Sequence, residues 1–191
     1  MSNQKESTVR TLTVALLVCL VCSVFVAGAA VALRPTQEAN RQLDKQRSIL
    51  AIAGLGEAGM SARQVRDLYA QRIPARVVDL ETGTFTDELD PTSFDPLAAA
   101  KDPQLSMALT GQQDIASIKR RERYSTVYMV EDGGELRTLV LPVRGYGLWS
   151  TLYGFIALEG DLNTVAGLGF YQHAETPGLG GEVDNPKWKS L

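Results

Sequence analysis

The feature that most restricts the fold is an apolar, uncharged segment near the N-terminus. Residues 11–33 contain no Asp, Glu, Lys or Arg, and as an α-helix they rise about 34 Å, enough to cross a hydrocarbon core of about 30 Å. A cleaved signal peptide is the alternative, because Lys5 and Arg10 form a basic leader and Ala30-Val31-Ala32 supplies small residues. Apolar regions of signal peptides are shorter, roughly 7 to 15 residues. We therefore expect a retained transmembrane helix in the lipid bilayer.

The composition limits the chemistry available to the rest of the chain. The 191 residues suffice for one membrane segment and one domain of ordinary size, and the formal net charge is −3. A nucleic acid partner is not expected at this charge. Both cysteines, Cys19 and Cys22, lie in the apolar segment, and His173 is the single histidine of this sequence. We therefore predict no metal site and no Cys–His nucleophile, and we expect His173 to orient a loop through a hydrogen bond.

Two helices are predicted after the membrane segment. Residues 38–53 have apolar positions at helical spacing and are followed by Gly54, which predicts a stalk helix that continues the anchor. Residues 61–74 predict a second helix, because Ser61 and Gln64 form a capping-box pattern at its start. Together these helices lead into a predicted sheet.

The next part of the chain is less regular. Residues 87–102 are acidic and contain two prolines, which predicts a surface loop. Residues 103–110 predict a short helix that ends at Gly111. The basic run at residues 119–123 is interpreted as a solvated strand edge in preference to a docking site for an acidic neighbouring subunit.

The strands are predicted as antiparallel hairpins, rich in β-branched and aromatic residues and separated by turn residues. The hairpins pair residues 77–80 with 84–86, 124–130 with 135–143, and 152–159 with 164–172. No helix-length pattern joins the late strands, which argues against a parallel doubly wound sheet. The predicted fold class is α+β, with a single N-terminal transmembrane helix, a helical stalk and a largely antiparallel sheet with flanking helices.

Two glycine-rich tracts stand out near the C-terminal end. Residues 145–150 read Gly-Tyr-Gly-Leu-Trp-Ser, and residues 173–181 read His-Ala-Glu-Thr-Pro-Gly-Leu-Gly-Gly. Glycine lets the backbone approach a flat ligand, although Pro and Gly clusters more often mark ordinary turns. No Gly-x-Gly-x-x-Gly tract opens a helix in this sequence and it has no P-loop, which argues against a nicotinamide or nucleoside triphosphate site.

These tracts, together with Val-Asp-Asn-Pro-Lys-Trp at residues 183–188, closely resemble the flavin-binding domain of the C subunit of the bacterial sodium-translocating NADH:quinone reductase. They resemble the corresponding subunit of Rnf-type electron-transport complexes more distantly. The resemblance implies an FMN-carrying electron-transfer subunit of a membrane complex that couples NADH oxidation and ubiquinone reduction to sodium export. It also implies other membrane subunits as partners, and a translocase activity that the isolated chain does not have alone.

The resemblance also indicates which residues bind the FMN. They are Tyr146, Leu148, Trp149, Ser150, Glu175, Thr176, Gly178, Leu179 and Gly180. Leu179 and Trp149 are expected to form apolar walls, Thr176 to supply a hydroxyl, and backbone amides near Gly178 and Gly180 to approach the ring edge. Glu175 either contacts the flavin or caps a turn, and the sequence leaves both roles open.

The resemblance implies a topology with residues 1–10 as a cytoplasmic tail, 11–33 as the transmembrane helix and 34–191 as a periplasmic flavin-binding domain. The protein is accordingly expected in the bacterial inner membrane with a single pass. A count of basic residues on the two sides of the helix favours the opposite orientation, but that bias is weak for long translocated domains.

The family joins FMN through its phosphate to a threonine in a Ser-Gly-Ala-Thr-x-Thr tract downstream of Pro-Lys-Trp. This tract does not occur in the sequence. We therefore expect the domain to be C-terminally incomplete, with the attachment threonine downstream of Leu191. A non-catalytic, membrane-anchored scaffold subunit and an Rnf-type subunit remain the alternatives, and the electron donor and acceptor subunits are left open.

Overall fold

The structure is a computed structural model that describes residues 7–57 and 59–189. Its contacts define two compact units, one ending at Gln42 and the other beginning at Leu43. The helices are α1 (Thr8–Ile52), α2 (Ala62–Arg72), α3 (Pro96–Ala99) and α4 (Pro186–Lys189), with a 3-10 helix at Gly180–Asp184. The strands are β1 (Ala75–Asp79), β2 (Thr84–Thr86), β3 (Ser106–Ala108), β4 (Arg120–Glu122), β5 (Tyr124–Asp132), β6 (Glu135–Tyr146), β7 (Thr151–Glu159) and β8 (Val165–Gln172).

Helix α1 includes both the predicted anchor and the predicted stalk. The large apolar side chains of its N-terminal part are exposed, and by length and composition the helix is a candidate membrane span. It ends just before Gly54, as predicted, because Gly54 has a φ of +70° that glycine adopts without steric cost. The N–H groups of Leu55 and Gly56 both donate to the carbonyl of Leu50, which gives this carbonyl in the last helical turn its hydrogen-bond partners.

The start of α2 confirms the predicted capping box. The Ser61 hydroxyl accepts a hydrogen bond from the Gln64 N–H at 3.4 Å, and the Gln64 side chain accepts one from the Ser61 N–H at 2.9 Å. These bonds satisfy two backbone donors that the first helical turn leaves unpaired. A local sequence signal therefore places this helix boundary.

The six-stranded sheet has the order β2-β1-β5-β6-β7-β8, and all its neighbouring strands pair antiparallel. The three predicted hairpins are confirmed as β1–β2, β5–β6 and β7–β8. The central position of β7 between β6 and β8 is the feature that organises the functional site. It brings the end of β6, the start of β7 and the end of β8 to the same end of the sheet.

The core lies between one face of the sheet and the helices α1 and α2. Its buried residues are Leu43, Ile49, Leu50, Ala53, Val65, Ile73, Tyr128, Val130, Val140, Phe155 and Ala157. Full burial of a large apolar side chain contributes about 1.5–3 kcal/mol. Phe155 occupies the centre of an aromatic group, stacked on Tyr171 at 5.1 Å between ring centroids and edge-on to Tyr128 at 5.7 Å. On β8, a Cβ at Gly167 would lie 3.1 Å from the Ile52 carbonyl oxygen, so glycine permits the close approach of helix and strand.

The prediction of a helix at residues 103–110 is wrong. This segment contains β3, which pairs antiparallel with β4 in a separate two-stranded sheet. The Arg120 side chain reinforces the pair, because it donates to both the hydroxyl and the carbonyl of Ser106 at 2.9 Å. Pairing with a distant strand therefore overrides the local helical pattern.

Two further predictions need correction. The segment 87–102 is not only a loop, since it contains α3, which Asp95 caps by accepting a hydrogen bond from the Leu97 N–H at 2.9 Å. The basic run at 119–123 is not simply a solvated edge. Arg123 pairs with Asp79 at 3.1 Å, and the neighbouring Glu122 is buried against Arg144. The charges of this run are thus partly used to join strands.

Candidate functional site

Two loops meet at the end of the sheet where β6 and β8 end and β7 begins. We call residues 146–150 the tryptophan loop and residues 175–180 the TPG loop. The tryptophan loop joins β6 to β7, and the strand register pairs Tyr146 with Thr151 across it. The TPG loop follows β8, whose Gln172 is paired with Tyr153 of β7. Each loop is therefore anchored by a strand bonded to β7.

Glu175 joins the two loops through its carboxylate. The Oε1 atom of Glu175 accepts hydrogen bonds from the Trp149 N–H at 3.1 Å, the Ser150 N–H at 2.9 Å and the Ser150 hydroxyl at 3.1 Å. The Ser150 Oγ in turn accepts a hydrogen bond from the Ala174 N–H at 2.8 Å. Successive backbone N–H groups around one anionic oxygen form an anion-binding turn. Of the two roles left open, the structure shows Glu175 capping the tryptophan loop.

The environment of Glu175 favours its ionised form. The residue is 7% exposed, and burial by itself acts to raise the pKa of the carboxyl group. The hydrogen bonds from Trp149, Ser150 and Leu148 act in the opposite direction and together hold the pKa below its ordinary value. The carboxylate is therefore a fixed negative charge inside the site at neutral pH.

Two glycines make room for this carboxylate, one on each side. A Cβ at Gly147 would lie 2.6 Å from the Glu175 Oε1 atom and would also overlap Leu152 Cδ1. A Cβ at Gly180 would lie 2.6 Å from the Glu175 Oε2 atom. Both distances are shorter than a normal contact, so no residue larger than glycine fits without movement. The two loops thus use glycine to close around Glu175.

A tight turn shapes the rest of the TPG loop. The Thr176 carbonyl accepts hydrogen bonds from the Leu179 N–H at 3.1 Å and the Gly181 N–H at 3.0 Å. Gly178 lies within this turn with a φ of +76°, a backbone conformation that costs glycine nothing. The turn leads directly into the 3-10 helix. Its geometry holds the Leu179 side chain on the outside of the loop.

His173 holds the base of the TPG loop. Its Nδ1 atom accepts a hydrogen bond from the Glu175 N–H at 3.2 Å, so Nε2 is the ring nitrogen that donates to the Asp184 carboxylate at 2.8 Å. Asp184 also lies 3.5 Å from the Lys189 ammonium. The expected role of His173 as a loop-orienting residue agrees with these contacts.

The side chains that the clamp leaves free are largely apolar. Leu148, Trp149 and Leu179 are each about two-thirds exposed, at 69%, 66% and 67%, and Tyr146 is 57% exposed. Thr176 is also exposed. Three apolar side chains and a hydroxyl on adjoining turns form a surface that fits a flat, largely apolar ring with a polar edge. An isoalloxazine ring has this chemistry.

All nine residues predicted for the site lie on or next to these two loops. The structure brings the two loops together and gives Ser150, Glu175 and Gly180 contacts within the protein. The sequence reasoning missed three residues that support the loops: Gly147, Ala174 and Asp184. Gly147 had a signal, since two glycines flank Tyr146, whereas Ala174 and Asp184 take part through contacts that no local pattern marks.

This site and fold define an FMN-binding protein with one candidate membrane helix. Residues 147–190, which include most of the tryptophan loop and the whole TPG loop, match the family described as the FMN-binding domain. The match agrees with the chemistry that the exposed side chains offer.

Relatives specify the class further. The chain is 75% identical over 191 residues to the C subunit of the Na(+)-translocating NADH-quinone reductase of Pseudomonas aeruginosa, covering 100% of this chain and 73% of that relative. It is 49% identical over 186 residues to the C subunit of the same reductase of Yersinia pestis, covering 97% and 70%. The crystal structure of Shewanella oneidensis NqrC superimposes with a TM-score of 0.69 and 37% identity, covering 76% of this chain and 66% of that chain. The chain belongs to the family of C subunits of the Na(+)-translocating NADH-quinone reductase.

Proposed function

We propose that this chain, by its family an FMN-carrying electron-transfer subunit of the sodium-translocating reductase complex, holds the isoalloxazine of FMN against the tryptophan loop and the TPG loop. Trp149, Leu148 and Leu179 form apolar walls for the ring, and Tyr146 extends them. The Thr176 hydroxyl and the backbone near Gly178 and Gly180 meet its polar edge. The flavin supplies the redox chemistry when bound, and the protein supplies its position and surroundings.

The observation that carries this proposal is the clamp made by Glu175. Because the carboxylate binds the backbone of Trp149 and Ser150, the tryptophan loop is held at a fixed position relative to the TPG loop. Electron transfer needs a cofactor held at a constant distance from its donor and acceptor. A prearranged pair of loops lowers the ordering cost of binding. Glu175 and Ser150 are therefore positioning residues in this proposal.

Substitution of the exposed walls tests the proposal. Trp149→Ala and Leu179→Ala each remove a ring contact without touching the clamp, so the dissociation constant for added FMN should rise about tenfold or more, as expected for one large apolar contact. Val165→Ala is the matched control, because Val165 is 56% exposed on the strand that precedes the TPG loop. Flavin fluorescence titration of the purified full chain measures the constants. Equal affinities for all variants would contradict the proposed site.

We further propose that FMN becomes covalently attached through its phosphate to a threonine downstream of Leu191. The chain covers 73% of the length of the Pseudomonas aeruginosa relative, which leaves room in that relative for such a segment. The intact mass of the native polypeptide, with flavin fluorescence after denaturation, tests this proposal. Fluorescence that stays with a protein heavier than 20.7 kDa supports it. Flavin that separates completely on denaturation contradicts it.

Topology and partners form the last part of the proposal. We place residues 1–10 in the cytoplasm, 11–33 in the bacterial inner membrane and the flavin-binding domain at 34–191 in the periplasm, next to other membrane subunits. In this arrangement the complex is a translocase, and the isolated chain has no NADH:quinone activity. Single cysteines introduced at exposed sites of the domain, labelled from the periplasmic side of intact cells, test the orientation. Labelling only after cell lysis would reverse it.

The alternatives are not favoured. A scaffold without a cofactor does not account for the FMN-binding domain match at residues 147–190. An Rnf-type subunit is disfavoured by the 75% identity to a C subunit of the sodium-translocating reductase.

A further inference from the structure

A small cavity is lined by residues that lie outside the two FMN-binding loops. Its volume is about 80 Å³, and α1, α3, β4, β5 and β6 all contribute to its wall. The charged residues that line it are Lys45, Asp95, Glu122 and Arg144, and its lining also includes Thr126 and the tyrosines Tyr128, Tyr153 and Tyr171. None of these residues belongs to the predicted cofactor site.

The cavity lies where two neighbouring strands separate. The pairing of β5 with β6 runs from Asp132 and Glu135 to Tyr128 and Val140 and stops there, although both strands continue. Pro142, which also lines the cavity, follows on β6. Proline has no N–H group and is tolerated in a strand where one side makes no ladder hydrogen bonds. The separation of the strands is thus compatible with the sequence at this point.

One buried hydroxyl at this cavity has no hydrogen-bond partner within the described part of the chain. Thr126 is 2% exposed, and its Oγ1 atom has no hydrogen-bond partner among the described residues. The half-buried Lys45 ammonium also lines the cavity and lies 5.5 Å from the centroid of the Tyr128 ring. A buried hydroxyl without a partner is unfavourable, so Thr126 requires a hydrogen-bonding partner inside the cavity.

The charges around the cavity balance. Arg144 and Glu122 form a direct ion pair, and Arg144 also donates to the Arg120 carbonyl at 3.1 Å. The second cation, Lys45, faces the carboxylate of Asp95 across the same cavity. Neither an anion nor a cation is therefore favoured, and the occupant must be small, neutral and able to accept hydrogen bonds.

We propose that this cavity is a structural water site in which two or three ordered water molecules bind Thr126 Oγ1 and Lys45 Nζ. The volume suits that number, since one water molecule occupies about 30 Å³. The waters link the end of α1 to β5 and to the Glu122–Arg144 pair. They supply the polar contacts that the separated strands do not make.

A valine substitution separates a hydrated cavity from a dry one. Valine has the shape of threonine without its hydroxyl, so Thr126→Val removes one hydrogen bond to water and should raise the unfolding equilibrium constant about fivefold. Thr126→Ser keeps the hydroxyl and should retain the hydrogen bond, with only the loss of a methyl group. Thr138→Val is the matched control, because Thr138 is also buried, on β6, and does not line the cavity.

Urea unfolding of the full chain in detergent, followed by tryptophan fluorescence, measures these constants, and a high-resolution crystal structure of the full chain locates the waters. Density for two or three waters within hydrogen-bond distance of Thr126 and Lys45, with a larger unfolding constant for Thr126→Val than for Thr138→Val, supports the proposal. An empty cavity, a larger bound molecule, or a Thr126→Val protein at least as stable as the parent chain overturns it.

Discussion

Glu175 and Ser150 bind each other twice, since the Glu175 Oε1 atom accepts hydrogen bonds from both the N–H group and the hydroxyl of Ser150. The same hydroxyl oxygen accepts a hydrogen bond from the Ala174 N–H. These bonds close a small ring of contacts between the tryptophan loop and the TPG loop. The relative position of the two FMN-binding loops therefore depends on one buried carboxylate.

Removing that carboxylate should release the tryptophan loop. Glu175→Ala deletes the acceptor of three hydrogen bonds, so we expect the affinity for FMN to fall about tenfold or more, as is typical when a supporting contact of a cofactor site is lost. Glu175→Gln keeps an acceptor of the same shape and should lose less affinity. Fluorescence titration with FMN measures both.

The control for this pair is Glu159→Gln, which neutralises an exposed carboxylate at the far end of β7. Its affinity for FMN should equal that of the parent chain. A Glu175→Ala protein with unchanged affinity would show that the clamp does not position the cofactor site.

The two glycines beside the carboxylate should not tolerate a methyl group. Gly147→Ala and Gly180→Ala would each place Cβ 2.6 Å from an oxygen of Glu175, and overpacking of this kind costs about 1–3 kcal/mol. Gly111→Ala is the matched control, since a Cβ at Gly111 meets no atom within 4 Å. In urea unfolding, the free energy of unfolding of Gly111→Ala should lie within about 0.5 kcal/mol of that of the parent chain. Three equally stable variants would contradict the packing described here.

Acid should weaken the domain partly through Asp79. The hydrogen bond from the Glu81 N–H lowers the pKa of Asp79 most, burial opposes this, and the Arg123 side chain lowers the pKa further. Because the folded pKa lies below the unfolded value of about 3.9, the contribution to stability is complete above that unfolded pKa. It is lost as the pH falls through the folded pKa.

Asp79→Asn cannot ionise, so it should be less stable than the parent chain at pH 7 and should lose less stability between pH 5 and pH 2. Urea midpoints across this range provide the measurement. Asp132→Asn, at the exposed end of β5, serves as the control and should follow the parent profile. An Asp79→Asn profile parallel to the parent profile would exclude Asp79 as a source of acid sensitivity.

The aromatic group in the core should dominate stability. Phe155 is 1% exposed and contacts both Tyr128 and Tyr171, so Phe155→Ala should lower the free energy of unfolding by about 3–5 kcal/mol. Phe85→Ala removes the same atoms from a side chain that is 46% exposed and should cost about 1 kcal/mol or less. Thermal or urea unfolding compares them. Similar losses for the two variants would contradict the assignment of the core.

Local patterns predicted the start of α2, the end of α1, the hairpins and the positions of the two loops. The capping box at Ser61 and the glycine after α1 act within a few residues, so a sequence reveals them. The helix predicted at 103–110 was wrong because this segment pairs with β4, and no local pattern shows that the two segments are partners. The role of Glu175 remained undecided for the same reason, since its partners are 25 and 26 residues away.

Periodicity and turn chemistry are local properties, and they were sufficient for the apolar N-terminal helix, the antiparallel hairpins and the glycine-rich character of both loops. Which groups those loops bind depends instead on long-range contacts. The register of β7 with β6 and β8 sets Glu175 against the backbone of Trp149 and Ser150 and leaves Gly147 and Gly180 no space for a side chain. Contacts of this kind arise only when strands far apart in sequence become neighbours.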